Sequence, residues 1–323
     1  MRKGRILLRT VCGLVMMLLL IAGEAGGQSV VSPEMPGWLV QNNQGDTASF
    51  TAWKKKGEAF LDKPGSFEPD MKMAFQIADQ MEALSKKLRY PAGLGLSKLL
   101  RAKAYRESGH ASDGRKISEE AIRLLSVYGT PRLKAEAILE LGGSYSNSPE
   151  DLPQKIRLYR LGTDIYQRLG DSLSAAKLNE FIGDLLLVNG QFTQALELLN
   201  TTLSMYQKIG YTRLQGIYSI MGEAQHELNN FTQSRRYNLL AVEVGEKLGD
   251  TSPLMTTVYN RVGLNYYSVK YYDQSIEYFN KGLAVARTNQ DTGSIKTMLI
   301  NIADVSRNKG GFRRSIDSLL VSA

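Results

Sequence analysis

The sequence predicts an all-α protein, a solenoid of stacked helix pairs that repeats about every 40 residues. Three observations carry this expectation. First, the chain resembles itself: Gly190–Leu199 lies 40 residues after Glu150–Tyr159, and Tyr206–Gly210 matches Tyr166–Gly170 at the same offset. Second, an apolar residue followed by a small one recurs as Ile182-Gly183, Met221-Gly222, Val262-Gly263 and Ile302-Ala303, with Gly143 one repeat earlier; the steps are 40, 39, 41 and 40. Third, turn residues fall between apolar-periodic runs at the same period.

Each small residue is followed nine positions later by Leu152, Phe192, Phe231, Tyr272 or Phe312. Twelve positions later stand Ala195, Ser234, Ser275 and Ser315, with Lys155 the one misfit. The spacing fits two helices per repeat. A glycine inside a helix costs about 1 kcal/mol relative to alanine. Repeating it at one register implies that the backbone of the second helix approaches closely there. The residue at +9 opens the second helix and plugs the gap between units. Gly129, Gly170, Gly210 and Gly249 each follow an apolar run, as left-handed residues closing helices do. Thr130-Pro131 and Ser252-Pro253 pair an N-cap with proline at the first helical position, and Asp171 and Asp291 are further caps. The expected pairs are 47–62 with 70–89, 92–108 with 114–128, 131–147 with 152–169, and 172–189 with 192–209. They continue as 212–229 with 232–248, 253–269 with 272–288, and 292–309 with 312–322.

The N-terminus reads as an export signal. Arg2, Lys3, Arg5 and Arg9 precede the apolar run Thr10–Gly23, and small residues follow through Gly27. The run is about 14 residues, short of the roughly 20 that span a bilayer, so cleavage after Ala25 or Gly27 is expected. Cys12 lies inside that run and is the only cysteine. The mature chain therefore has no disulfide, thiolate metal site or cysteine nucleophile, which for an exported protein favours a bacterial envelope. Losing residues 1–25 lowers the formal charge from +8 to +5, and that remainder does not support nucleic-acid binding. The expected organisation is a signal at 1–25, a Gly/Pro/Asn/Gln-rich lead-in at 26–45 and a degenerate helical unit at 46–90. A solenoid follows over 91–323, with units near 91–129, 130–170, 171–210, 211–249, 250–290 and an incomplete 291–323.

These features resemble the tetratricopeptide family in its variety of about 40 residues, the form seen in kinesin light chain and in peptide-binding regulators of Gram-positive quorum sensing. The matching positions are the apolar–small pair, a large residue near +3 (Tyr145, Leu186, Tyr266), the residue at +9 and the small one at +12. HEAT and armadillo repeats share the period, but not the small-residue register or the aromatic at +9. The resemblance implies a right-handed α-α superhelix whose first helices line a concave groove. It places Lys177, Glu180, Asp184, Leu187 and Val188 there in one unit, and Ser219, Glu223, His226 and Glu227 in the next. Thr257, Asn260, Leu264, Tyr267 and Ser268 follow, then Thr297, Asp304, Arg307 and Asn308. Among these, Tyr267 is expected to anchor a ligand and Asn260 could pair with its backbone, while Glu223 and Glu227 would favour a basic segment.

Catalytic patterns do not emerge. His110 and His226 stand apart from each other and from any metal-ligand spacing, and Gly142-Gly143 and Gly310-Gly311 lack the strand–glycine–helix context of a phosphate loop. Lys54–Lys56, Lys86-Lys87, Arg235-Arg236 and Arg313-Arg314 read as solvated helix surface, with Lys54–Lys56 the best candidate for a membrane or acidic partner. The expected function is an exported, periplasmic or secreted scaffold. It would bind a protein or peptide in its groove, use no cofactor or metal, and perform no catalysis; a membrane-associated partner is compatible with this. The alternative is the extracytoplasmic sensor portion of a histidine kinase or helix-turn-helix regulator, since the chain stops inside an expected helix without a polar capping helix. A hydrolase or glycan-binding protein on the same fold is the third class.

Overall fold

The computed structural model describes residues 47–63 and 68–310. The expected signal, lead-in and final helix 312–322 lie outside the described residues. Thirteen α-helices and no strand are found among the described residues. They are α1 (Thr47–Leu61), α2 (Glu68–Lys87), α3 (Pro91–Glu107), α4 (Ala111–Tyr128), α5 (Pro131–Gly143), α6 (Leu152–Arg168) and α7 (Ser172–Val188). The order continues with α8 (Phe192–Lys208), α9 (Gln215–Glu227), α10 (Phe231–Lys247), α11 (Pro253–Ser268), α12 (Tyr272–Thr288) and α13 (Thr292–Asn308). None is long and apolar enough to cross a membrane. The chain divides into two compact units, one ending at Leu178 and the other beginning at Asn179.

In the N-terminal unit each helix packs on the next, and α1 also packs on α3. Phe50, Trp53, Met81, Leu96, Leu100 and Leu125 fill the core between them. Lys54, expected on a solvated face, is buried there; its ammonium donates to Glu58 at 3.0 Å and to Glu136 at 2.9 Å. A buried ammonium persists only when paired, so the Lys54–Lys56 run is not a basic patch. In the C-terminal unit Met255, Val258 and Val262 of α11 meet Ala241 and Val242 of α10, while Phe279 and Leu283 of α12 meet Met298 and Val305 of α13.

The small-residue register has a different cause from the one expected. At Gly183 and Gly263 an added Cβ would come within 2.6 Å of Leu199 Cδ2 and Phe279 Cε1, and at Gly222 it would collide with the Asn238 amide. The close approach is thus made by a second-helix side chain, not by its backbone. Ser275, at the +12 position, donates its hydroxyl to the Gly263 carbonyl at 2.8 Å. The +9 residues do not all plug a gap: Leu152 is buried, but Phe231 is 49% exposed and lies edge-on to the His226 ring.

Lys155, the misfit at +12, belongs to an early helix ending. Helix α5 stops at Gly143 instead of the expected 147. Ser146 donates its N–H and hydroxyl to Asp151 Oδ2, and the Lys155 ammonium donates to the Tyr145 carbonyl and to Asn147 Oδ1. The cation thus satisfies a carbonyl of the segment that follows the helix.

Turn chemistry agrees in part. Gly170, Gly210 and Gly249 have φ of +72°, +68° and +60°. Gly129 does not; its backbone is extended, with φ −97°. Thr130 accepts from Leu133 N–H, and Asp171 from Ser174 N–H. Ser252 makes no side-chain cap; Asp250 instead accepts from Ser252 N–H at 2.9 Å.

Asp291 accepts from the Ser294 hydroxyl at 2.6 Å and from Ser294 N–H at 3.0 Å. The hydroxyl bond, against partial burial and aided by the N–H, holds its carboxyl below the ordinary value of 3.8. Asp291→Ala should therefore cost about 1 kcal/mol at neutral pH. The contribution of the depressed carboxyl is complete above the unfolded value and is lost as pH falls through the folded one. Paired urea melts at neutral and acid pH should show the gap between variant and wild type narrowing in acid.

Candidate functional site

In the C-terminal unit the first helices of successive repeats pack on each other: α9 meets α11, and α11 meets α13. The second helices α10 and α12 are joined by the Lys281–Glu246 ion pair at 3.0 Å. A ladder of side-chain bonds crosses the first-helix junctions. The Arg261 guanidinium donates to Ser219 and to Glu223 of the preceding repeat. Asn301 Nδ2 donates to Asn260 Oδ1 at 2.7 Å, and Asn308 Nδ2 donates to the Tyr267 hydroxyl at 2.7 Å. Leu264, between the rungs at Asn260 and Tyr267, is 43% exposed, and Ile300, one residue before Asn301, is 44% exposed.

The expected groove residues separate into two groups. Asn260, Leu264 and Tyr267 on α11 stand with Asp304, Arg307 and Asn308 on α13; Asp304 and Arg307 are ion-paired at 3.0 Å. His226 is exposed beside the half-buried Glu227 at the end of α9. Thr257 and Thr297 are half-buried, and Ser268 is exposed. Three of the other expectations need correction. Leu187 is core, and Ser219 is fully buried under Arg261. Glu180 is also buried, where it accepts the Tyr206 hydroxyl proton at 2.6 Å. Half-buried Val188 is at the end of α7, and half-buried Lys177 falls in the N-terminal unit.

Glu223 is not an open acid, because Arg261 holds it. Asp184 is half-buried, and desolvation pushes its carboxyl up, with Arg261 pulling partly against that rise. Register reading missed Arg261, Asn301 and Ile300. The first two each stand two residues before the small residue of their repeat, Gly263 or Ala303, and so outside the positions taken to face the groove. Their bonds span 42, 38 and 41 residues, so a single-helix register does not reveal them.

The face offers amide and hydroxyl groups fixed across repeats, together with exposed apolar side chains. Among the described residues no group of three or more His, Cys, Asp or Glu is placed to hold a metal ion. Helix pairs in this arrangement define a tetratricopeptide-like helical-repeat fold.

No protein-family model matches the chain, and no curated protein matches it. Solved structures do. A Rap protein complexed with Competence and Sporulation Factor aligns with TM-score 0.60 at 12% identity, covering 87% of each chain. Aspartyl phosphate phosphatase F from Bacillus subtilis aligns with TM-score 0.59 at 13% identity, over 92% of this chain and 95% of that one. NprR in complex with its cognate peptide NprX aligns with TM-score 0.51 at 12% identity, over 85% and 77%. At these identities the likeness is one of fold.

Proposed function

We propose that this chain is an exported, non-catalytic scaffold that binds a protein or peptide segment along the first-helix face of its C-terminal unit. The observation that carries the reading is the ladder itself. Asn260–Asn301 and Tyr267–Asn308 fix polar groups across successive repeats while Leu264 stays open between them and Ile300 beside Asn301. Such a surface is ordered before the ligand arrives, which limits the entropy lost on binding. It suits an extended segment, whose backbone amides can meet the amide side chains and whose apolar residues can cover Leu264 and Ile300. The neighbours solved with Competence and Sporulation Factor and with the peptide NprX support a peptide-sized occupant. Because Arg261 neutralises Glu223, the preference for a basic segment is withdrawn in favour of an apolar one.

The test is affinity capture from envelope extract, with photo-crosslinking to place the contact. Leu264→Ser/Tyr267→Ala should lose partners by tenfold or more, since an aromatic anchor is worth about 2 kcal/mol. Glu197→Lys, on the exposed side of α8, should retain them. Loss with Glu197→Lys but not with the face variant would move binding to the second-helix side. Export rests on the N-terminal signal pattern and is tested by fusing residues 1–27 to a reporter active only outside the cytoplasm; a silent fusion would reject it.

A further inference from the structure

The N-terminal unit carries one end unlike its other. Three short connections lead from a second helix back to a first helix: Leu88–Tyr90, Gly129–Thr130 and Leu169–Asp171. Links this short join antiparallel neighbours, so all three turns fall at the same end, as does the start of α1. Two bonds confirm the juxtaposition. Thr47 and Tyr90 share a hydroxyl hydrogen bond, and Arg132 Nη2 donates to Asp171 Oδ2 at 2.7 Å.

This end is both basic and apolar. Leu88 is 39% exposed, Val127 71%, Tyr128 57%, Leu169 43% and Leu173 38%. Beside them stand Lys87, Arg89, Lys134 and Arg168, none with an ion-pair partner among the described residues. Asp171 is the only carboxylate in the three connections, and Arg132 and Ser174 already occupy it. At the other end charge is mixed: Asp62, Glu107, Asp113 and Asp151 accompany Lys63, Arg106 and Lys116.

A helix-ending cation alone is explained by the helix dipole, and a single exposed leucine needs no explanation. What calls for an occupant is four unpaired cations interleaved with five protruding apolar side chains. Cations that can reach phosphate while adjacent apolar groups enter the acyl boundary are the signature of an interfacial surface. We propose that this end of the N-terminal unit seats the protein on an anionic phospholipid surface.

The test is co-sedimentation of the chain from Gln28 onward, which keeps every described helix and removes the apolar run. Vesicles of phosphatidylcholine alone are compared with vesicles containing phosphatidylglycerol. Wild type should bind the mixed vesicles, weaken in high salt, and leave phosphatidylcholine largely unbound. Lys87→Glu/Arg168→Glu should weaken binding about thirtyfold or more, from roughly fivefold per cation lost. Val127→Ser/Tyr128→Ser should weaken it about tenfold at unchanged circular dichroism. Lys116→Glu, at the opposite end, should stay within about twofold by the same per-charge reasoning. Equal binding to both vesicle types, binding to neither, or equal loss with Lys116→Glu would overturn the proposal. So would binding to soluble polyaspartate as tight as to vesicles, which would make the surface one for acidic macromolecules.

Discussion

Gly263→Leu is expected to be the most damaging substitution in the C-terminal unit, lowering stability by about 3 kcal/mol, the upper part of the overpacking range. The Phe279 ring is fully buried, and even a methyl group at Gly263 would stand 2.6 Å from it. An aromatic ring cannot give way as a flexible side chain can, so α11 and α12 must separate. Gly263→Ala should already destabilise by about 1–2 kcal/mol on the same ground. Gly293→Ala is the control: its nearest neighbour is Asp291 Oδ1 at 3.4 Å, and alanine there should be neutral or slightly stabilising. Phe279→Leu should recover part of the Gly263→Ala loss, because it removes the atoms that collide. Urea midpoints followed by circular dichroism would read all four. A Gly263→Leu variant as stable as wild type, or no coupling between positions 263 and 279, would reject the packing.

Gly222 is the informative companion. Its partner is Asn238, which is 2% exposed and leaves its carbonyl oxygen without a hydrogen-bond partner. In the flanking repeats the same position holds Leu199 or Phe279, both fully buried. A polar atom buried without a partner costs about 1–3 kcal/mol, so Asn238→Leu should stabilise the α9–α10 pair.

The contrast between these two glycines shows what the sequence makes legible. A 40-residue period fixes which residues share a register, and so the helix pairs and the turns follow from it. It does not say what a register position touches. Gly222 and Gly263 read alike, yet one faces an amide and the other a phenyl ring. Lys155 reads as an error in the pattern until the early end of α5 supplies a carbonyl for it to cap. The candidate face was legible where a residue's own register position exposes it, as at Leu264 and Arg307. It was illegible where a partner two helices away decides, as Arg261 does for Glu223 and Ser219.

Glu180 gives the second large effect, because it separates a structural acid from a ligand-binding one. Tyr206 is fully buried, its ring stacks on Tyr211 at 4.6 Å, and its hydroxyl donates to Glu180 Oε2. Tyr206→Phe keeps the ring and removes the donor, leaving a buried carboxylate short of a hydrogen bond. Hydrogen bonds to charged groups contribute about 1.5–3 kcal/mol, and a loss of that size is expected at neutral pH. Glu180→Gln should cost less, since an amide oxygen can still accept the phenolic proton. The pH dependence has a definite sign. Burial, then the Glu180 charge, pushes the phenol above its ordinary value of 10, so the unfolded chain loses this proton first. Wild type should therefore lose stability as pH rises through about 10, while Tyr206→Phe sheds that component of the slope. Alkaline urea titrations of the two proteins should converge; parallel curves would mean that the hydroxyl is not held as described. Affinity capture with Glu180→Gln completes the test. Retention of every partner at reduced stability is expected, whereas loss of partners at unchanged stability would return Glu180 to the binding face.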